Sequence, residues 1–330
     1  MDVLRARATA LAAFAQAWDC TLLYSIKASA VGAELNTVKS DVAGFACASP
    51  FEARLARRML GRRKPMHLTT PSLTAGHIPA LRGRCDHITF NSLNQWRQFK
   101  DAFGPGAQRG LRINAEMSIV RSPLVDLCRP GSKLGVPLSA LAERARAAPR
   151  MFAGLQGLHF HTACGNRALQ GLHDTVLRIA EAVPDLLRRA HWLNRGGGYA
   201  FDKIRKTDPF DAAVRLLRQD YGMRVMIEPG TAMVRDAGRI VTQVVDVLPG
   251  DPDPIAVLDT SVNHMSEVFA YRFQPPVATA RTGAPHRYAL AGATCLAGDQ
   301  LGIYDFDAPL KIGQGLIVEK MGAYTHGQSH

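Results

Sequence analysis

A single lysine, Lys27, closes the apolar run Leu22-Leu23-Tyr24-Ser25-Ile26 and is followed by the small residues Ala28 and Ser29. A lysine ending a buried strand must lose its water or find a partner. Either moves its pKa and can free the amine as a nucleophile toward a carbonyl carbon. The ordinary alternative is an ammonium that snorkels to solvent. Arg195-Gly196-Gly197-Gly198-Tyr199 follows a strand-like segment. Consecutive glycines bare backbone N–H groups that can cradle a phosphate, although a plain glycine turn looks the same. Ile227-Glu228-Pro229-Gly230 sets a carboxylate at another strand end. It could hold the protonated nitrogen of a pyridine ring or form a salt bridge at a rim. In His159-Phe160-His161 the two histidines share one strand face, so one could stack on a flat cofactor while the other sits in the core. A histidine metal pair lacks a third ligand at matching spacing. Cys295 and Tyr324 are, by default, a buried thiol and a core ring.

These residues need elements to position them. Short apolar strands end at Lys27, near Ala48, Thr69, Phe90 and Ile113, at His161, near Asn194 and at Glu228. Helical patterns separate most of them, such as Pro50–Leu60, Leu93–Phe103 and Leu169–Arg189. This alternation predicts a (β/α)8 TIM-like barrel over residues 1–235, with a doubly wound sheet as second choice. In a barrel the strand C-termini share one face, so Lys27, His161, Gly196–Gly198 and Glu228 would converge there. From 236 to 330 the texture changes to short strands divided by turns: Arg239–Val247, Pro254–Leu258, His286–Leu290, Gly302–Phe306 and Gly315–Glu319. These predict a smaller all-β barrel or sandwich.

The chain has 330 residues, 47% of them hydrophobic, enough to bury a large core. Its net charge of +12 comes mainly from arginines spread along helices. No basic patch interleaved with aromatics points to nucleic acid. Apolar runs are too short to span a membrane, and the N-terminus reads as an amphipathic helix rather than a secretory signal. The six cysteines form no C-x-x-C pair, so reduced thiols in the cytoplasm are expected, with no zinc site.

Seven segments occur in one order: Tyr24–Ser29, His159–His161, Gly196–Gly198, Glu228–Gly230, Asp259–Ser261, Cys295–Asp299 and Gly322–Thr325. The chain thereby resembles the fold-type III pyridoxal-phosphate decarboxylases, the alanine-racemase/ornithine-decarboxylase architecture. Phe90–Trp96, Pro130–Gly135, Gly157–His161, His264-Met265 and Cys295–Asp299 are most similar to the carboxynorspermidine/carboxyspermidine decarboxylases. The resemblance implies pyridoxal 5'-phosphate as cofactor, carried by Lys27 as a Schiff base. It implies Glu228 on the ring nitrogen, His161 stacked on the ring, and Gly196, Gly197, Gly198, Tyr324 and Cys164 around the phosphate. It makes Lys27, Cys295 and His161 the catalytic residues and turns Asp259, His264, Glu267 and Asp299 toward the substrate. A head-to-tail homodimer with shared sites is implied, the Cys295 loop entering the partner's site and Lys133 pairing with Asp299 across the interface.

The chain departs from that branch where Gly165, Thr231 and Tyr199 replace glutamate, glutamate and histidine. Its ends imply a β domain without the first and last strands of the family. The readings beside carboxynorspermidine-type decarboxylation are a related decarboxylase or racemase of another amino-acid-like substrate, as in siderophore or natural-product pathways, a non-catalytic pyridoxal-phosphate-binding protein, and an inactive truncated homologue.

Overall fold

The computed structural model describes residues 1–120, 122–200, 204 and 206–325. The chain forms two compact units, Leu4–Ala232 and a second from Met233 onward.

Among the described residues, eight parallel strands build the barrel of the first unit: β1 (Cys20–Ser25), β2 (Gly44–Cys47), β3 (Met66–Thr70), β4 (His87–Phe90), β5 (Gln108–Asn114), β6 (Gly157–Phe160), β7 (Trp192–Asn194) and β8 (Arg224–Ile227), with the two-residue strand Val136–Pro137 paired beside β5. Each pairs with the next, and β8 pairs with β1, so the sheet closes on itself. This is the expected (β/α)8 barrel. Lys27 stands just past β1, in the 3-10 turn Ile26–Ala28. His161 and Glu228 likewise follow the last residues of β6 and β8. All three therefore lie where the backbone leaves the ladder and side chains are freed from strand alternation.

Local chemistry starts the helices at that same end. Ser49 Oγ accepts from the Glu52 N–H at 3.2 Å, and Glu52 Oε2 accepts from the Ala48 N–H at 2.7 Å. The same reciprocal cap joins Ser92 and Gln95, with distances of 3.1 and 2.8 Å. In both places the sequence Ser-x-x-Glu/Gln satisfies donors that a helix start would leave bare.

The barrel interior is layered. Leu23, Ala46, Trp192 and Met226, from four strands, pack together as an apolar layer. Trp192 also meets the rings of His67 and His87 edge-on, at centroid separations of 5.0 and 5.4 Å. Its indole fits because β6 carries no side chain at Gly157, where a Cβ would fall 1.9 Å from the ring.

The second unit is a five-stranded sheet of β9 (Ile240–Leu248), β10 (Ile255–Leu258), β11 (His286–Ala291), β12 (Gln300–Phe306) and β13 (Gly315–Val318), in the order β12-β11-β10-β9-β13. Neighbours are antiparallel except β10 and β11, which run parallel. A parallel step needs a long crossover, supplied here by the helical turns Val262–His264 and Ser266–Tyr271. The segment 276–281 then bonds to both outer strands. Ala278 N–H donates to Ile317 at 2.9 Å, and Arg281 N–H donates to Asp305 at 2.9 Å. The sheet is thus curled around Val244, Leu258, Leu290, Phe306, Leu316 and Val318.

Gly157→Ala forces a methyl group into the buried Trp192 ring. We expect it to destabilise the protein by about 1–3 kcal/mol, the usual cost of overpacking, measured by denaturant unfolding against wild type.

Candidate active site

Lys27 keeps accessible surface, yet the protein around it is dense enough that burial lowers its pKa. The nearby Glu228 carboxylate opposes that shift, and Arg112 adds to it. Burial likewise pushes His161 well below the usual imidazole range, reinforced by Lys27 and Arg112. His161 Nε2 lies 2.9 Å from the Ala163 carbonyl, which only accepts, so Nε2 carries the proton.

Glu228 is almost wholly buried. Burial alone would raise its pKa. The His159 imidazole, with Nε2 3.7 Å from Oε2, outweighs that with His67 and Lys27, and the carboxyl is held below its ordinary range. Its Oε1 accepts from Asn194 Nδ2 at 2.5 Å. The glycine loop crosses directly against it. Glu228 N–H donates to the Gly196 carbonyl at 2.8 Å, and a Cβ on Gly197 would fall 2.3 Å from the Glu228 carbonyl oxygen. Gly198 takes a φ of +85° and its missing Cβ would overlap the Ala163 carbonyl, so this path requires glycine. The Gly196 N–H is occupied by Asn194 Oδ1 at 2.9 Å. The N–H groups of Gly197 and Gly198 donate to no acceptor among the described residues.

One end of the barrel therefore joins an amine with a lowered pKa, an ionised buried carboxylate, an imidazole and two open N–H groups. That donor set fits a phosphorylated pyridine aldehyde. The amine suits the aldehyde carbon, the carboxylate a protonated ring nitrogen, and the N–H groups a phosphate.

Of the other expected residues, Cys164 is exposed and within electrostatic reach of Lys27. Lys133 is exposed, and its carbonyl accepts from Asn91 Nδ2 at 2.8 Å. Within the second unit, Cys295 and His264 are exposed. Asp259 Oδ1 accepts from Thr242 Oγ1 at 2.5 Å and from the Gln243 N–H at 2.7 Å. Glu267 pairs with Arg235 at 2.7 Å, while burial pushes its carboxyl up. Both Asp299 oxygens are engaged, Oδ1 by the Val262 N–H at 2.8 Å and Oδ2 by Thr294 Oγ1 at 2.5 Å. That carboxylate shapes the loop carrying Cys295. Tyr324 is partly buried at φ +54°, its carbonyl accepting from Ser266 Oγ at 3.2 Å.

Four polar residues at the site were missed in the sequence: Glu52, His67, Arg112 and Asn194. Burial raises Glu52, with Lys27 and the Ala48 N–H opposing it, and lowers Arg112 to about 10. A signal existed for His67 and Arg112. Each is one polar residue flanked by apolar ones in a barrel strand, which marks an inward-facing position.

The match to a family model for the pyridoxal binding domain of pyridoxal-dependent decarboxylases spans residues 2–242. The chain belongs to the pyridoxal-dependent decarboxylases, and its cofactor is pyridoxal phosphate. It is 34% identical over 297 residues to a carboxyaminopropylagmatine decarboxylase of Synechocystis, covering 87% of this chain and 74% of the relative. It is 29% identical to a carboxynorspermidine/carboxyspermidine decarboxylase of Herminiimonas arsenicoxydans, covering 92% and 80%. Among solved structures, the carboxynorspermidine decarboxylase of Campylobacter jejuni complexed with norspermidine superposes with a TM-score of 0.84 at 27% identity, over 100% of this chain and 88% of that one. Among the described residues no helix is long and apolar enough to cross a membrane, and no cluster of potential metal ligands occurs.

Burial lowers His67 to about 3 and His87 to about 4. In the unfolded chain both titrate near 6.5, so between these values the unfolded state binds more protons. Stability therefore rises with pH across this window and is lost as pH falls below about 6.5, by up to about 1.4 kcal/mol per pH unit for each histidine. Unfolding free energies at successive pH values from 7 to 5 check this, and His87→Leu is expected to flatten the slope.

Proposed function

We propose that this chain decarboxylates a carboxylated polyamine, an α-amino-acid head group on an aminopropyl chain, using pyridoxal phosphate bound at the barrel end. The meeting of Lys27, Glu228 and the open glycine N–H groups at that end carries the reading. The names of its relatives support the substrate class. When bound, the cofactor supplies an electron sink for the carbon that loses CO₂.

The residues divide the work. Lys27 would hold the cofactor's aldehyde carbon, and burial, which lowers its pKa, favours the neutral amine needed for that. Glu228, ionised, would keep the ring nitrogen protonated, and His161 would stack on the ring. Gly197 and Gly198 would take the phosphate, with Gly196 shaping their loop and Tyr324 and Cys164 as further ligands. The Cα–carboxylate bond breaks, CO₂ departs, and Cα receives one proton from Cys295 or Lys27. Asp259, His264 and Glu267 face the amine end of the substrate. Asp299 acts through the loop it ties. Gly165 and Thr231, which carry no charge, make the cation-binding part of the site less acidic than in the resembled branch, and this favours a shorter or less charged amine.

The working unit is a cytoplasmic homodimer in which each Cys295 loop serves the partner's site, with Lys133 and Asp299 at the interface. Exposed Phe269, Tyr271 and Leu296, on and near that loop's own unit surface, support a protein-covered face.

Protein mixed with pyridoxal phosphate is expected to gain a visible absorption band that Lys27→Ala lacks. Wild type without such a band defeats the reading. Release of CO₂ from carboxynorspermidine, carboxyspermidine and carboxyaminopropylagmatine, compared with ornithine, lysine and diaminopimelate, ranks the substrates. Turnover confined to the last three overturns the polyamine class. Cys295→Ala is expected to retain cofactor and lose turnover. Refolding it together with Lys27→Ala should restore part of the activity only where sites are shared between subunits.

A further inference from the structure

We infer that Asn194 is a positioning residue that locks the Glu228 carboxylate to the glycine loop, and that a one-directional hydrogen-bond chain through His67 and Thr89 holds its amide in place. The inference rests on the reading of Glu228 as the partner of the cofactor's ring nitrogen.

The amide of Asn194 is fully buried, and every polar position on it is used. Its Oδ1 accepts from the Gly196 N–H at 2.9 Å. Its Nδ2 donates one hydrogen to Glu228 Oε1 at 2.5 Å and the other to His67 Nδ1 at 2.9 Å. A flipped amide would set its oxygen against the Glu228 carboxylate and its NH₂ against the Gly196 N–H, losing both of those bonds. The orientation is therefore dictated by chemistry. Since His67 Nδ1 must accept, the ring proton sits on Nε2, which lies 2.6 Å from Thr89 Oγ1. The chain runs in one direction, from Gly196 N–H to Asn194, and from Asn194 to both Glu228 and His67, whose Nε2–H donates to Thr89 Oγ1.

Packing holds the far end. His67 stacks on His87 at 5.6 Å between centroids and meets Trp192 edge-on. The ionisable groups in electrostatic reach of His67 are Glu228, His87 and His159, and those around Glu228 are His159, His67, Lys27, Arg112, His161 and Cys47. A proton on His67 Nδ1 would face the Asn194 NH₂ and break the chain. Asn194 thus links the groups that meet the two ends of the cofactor, the ring-nitrogen carboxylate and the phosphate loop, through a single amide. Arg112 and His159 face Glu228 but make no such link to the loop.

Nitrogen-15 spectra of the cofactor-free protein test the direction of the chain. His67 is expected as the neutral Nε2–H tautomer from pH 8 to pH 6, and an Nδ1–H tautomer overturns the inference. Asn194→Leu and His67→Phe, compared with wild type in the loaded enzyme, test the function. Each is expected to lower kcat about tenfold to hundredfold, the worth of a hydrogen bond to a charged group, with KM changed less than threefold. The visible band is expected to shift position or pH dependence. His67→Asn, which can place an oxygen where Nδ1 accepts, is expected to recover most of the loss. Wild-type band and kcat in Asn194→Leu overturn the inference. So does a loss in both variants that tracks lowered melting temperature while the band stays unchanged. Glu228→Gln separates the two levels. If it leaves band and turnover unaltered, the reading of Glu228 fails. If it impairs them while Asn194→Leu does not, only the role of Asn194 fails.

Discussion

A carboxylate kept ionised inside a protein must be surrounded by donors and positive charge, because its uncompensated burial costs several kcal/mol. Glu228 is such a group, and much of the barrel interior follows from it. His159, Lys27, Arg112 and the Asn194 amide all face it, on strands or turns far apart in sequence. Were the carboxyl protonated it could no longer stabilise a protonated pyridine nitrogen, and the electron sink of the cofactor would weaken.

The same environment acts oppositely on the cations. Burial lowers Lys27, His159 and His161, keeping imidazoles neutral and making the lysine amine easier to deprotonate. One low-dielectric site thus yields an ionised acid beside bases of reduced basicity, the separation of protonation states that acid–base chemistry near neutral pH requires. Beneath it Trp192 fills the barrel, with room left by Gly157.

The second unit meets a different demand. Its loop around Cys295 contains few apolar contacts, so its shape depends on a buried carboxylate, Asp299, bonded to Val262 and Thr294. Asp259 is tied to β9 in the same manner. Carboxylates that a motif comparison assigns to substrate thus also carry structural bonds, and the Asp299 oxygens are both committed to them.

Most of the fold was legible in the chain. Eight short strands separated by helical stretches such as Pro50–Leu60 and Leu93–Phe103 announced the barrel, since these depend on local periodicity. The strands of the second unit were legible for the same reason, but the parallel pairing of β10 with β11 was not, because strand order depends on long-range contacts. Within the site, Lys27, His161, Glu228 and the glycines could be picked out by type and position at strand ends. Asn194 and Glu52 could not be ranked above ordinary core or surface residues, and for His67 and Arg112 the pattern gave only an inward-facing strand position. By itself the sequence determined which residues are present, which elements they sit on and which family they define. Only the tertiary structure decided which polar groups face one another, and so which are ionised, because protonation and hydrogen-bond direction depend on neighbours brought together across the barrel.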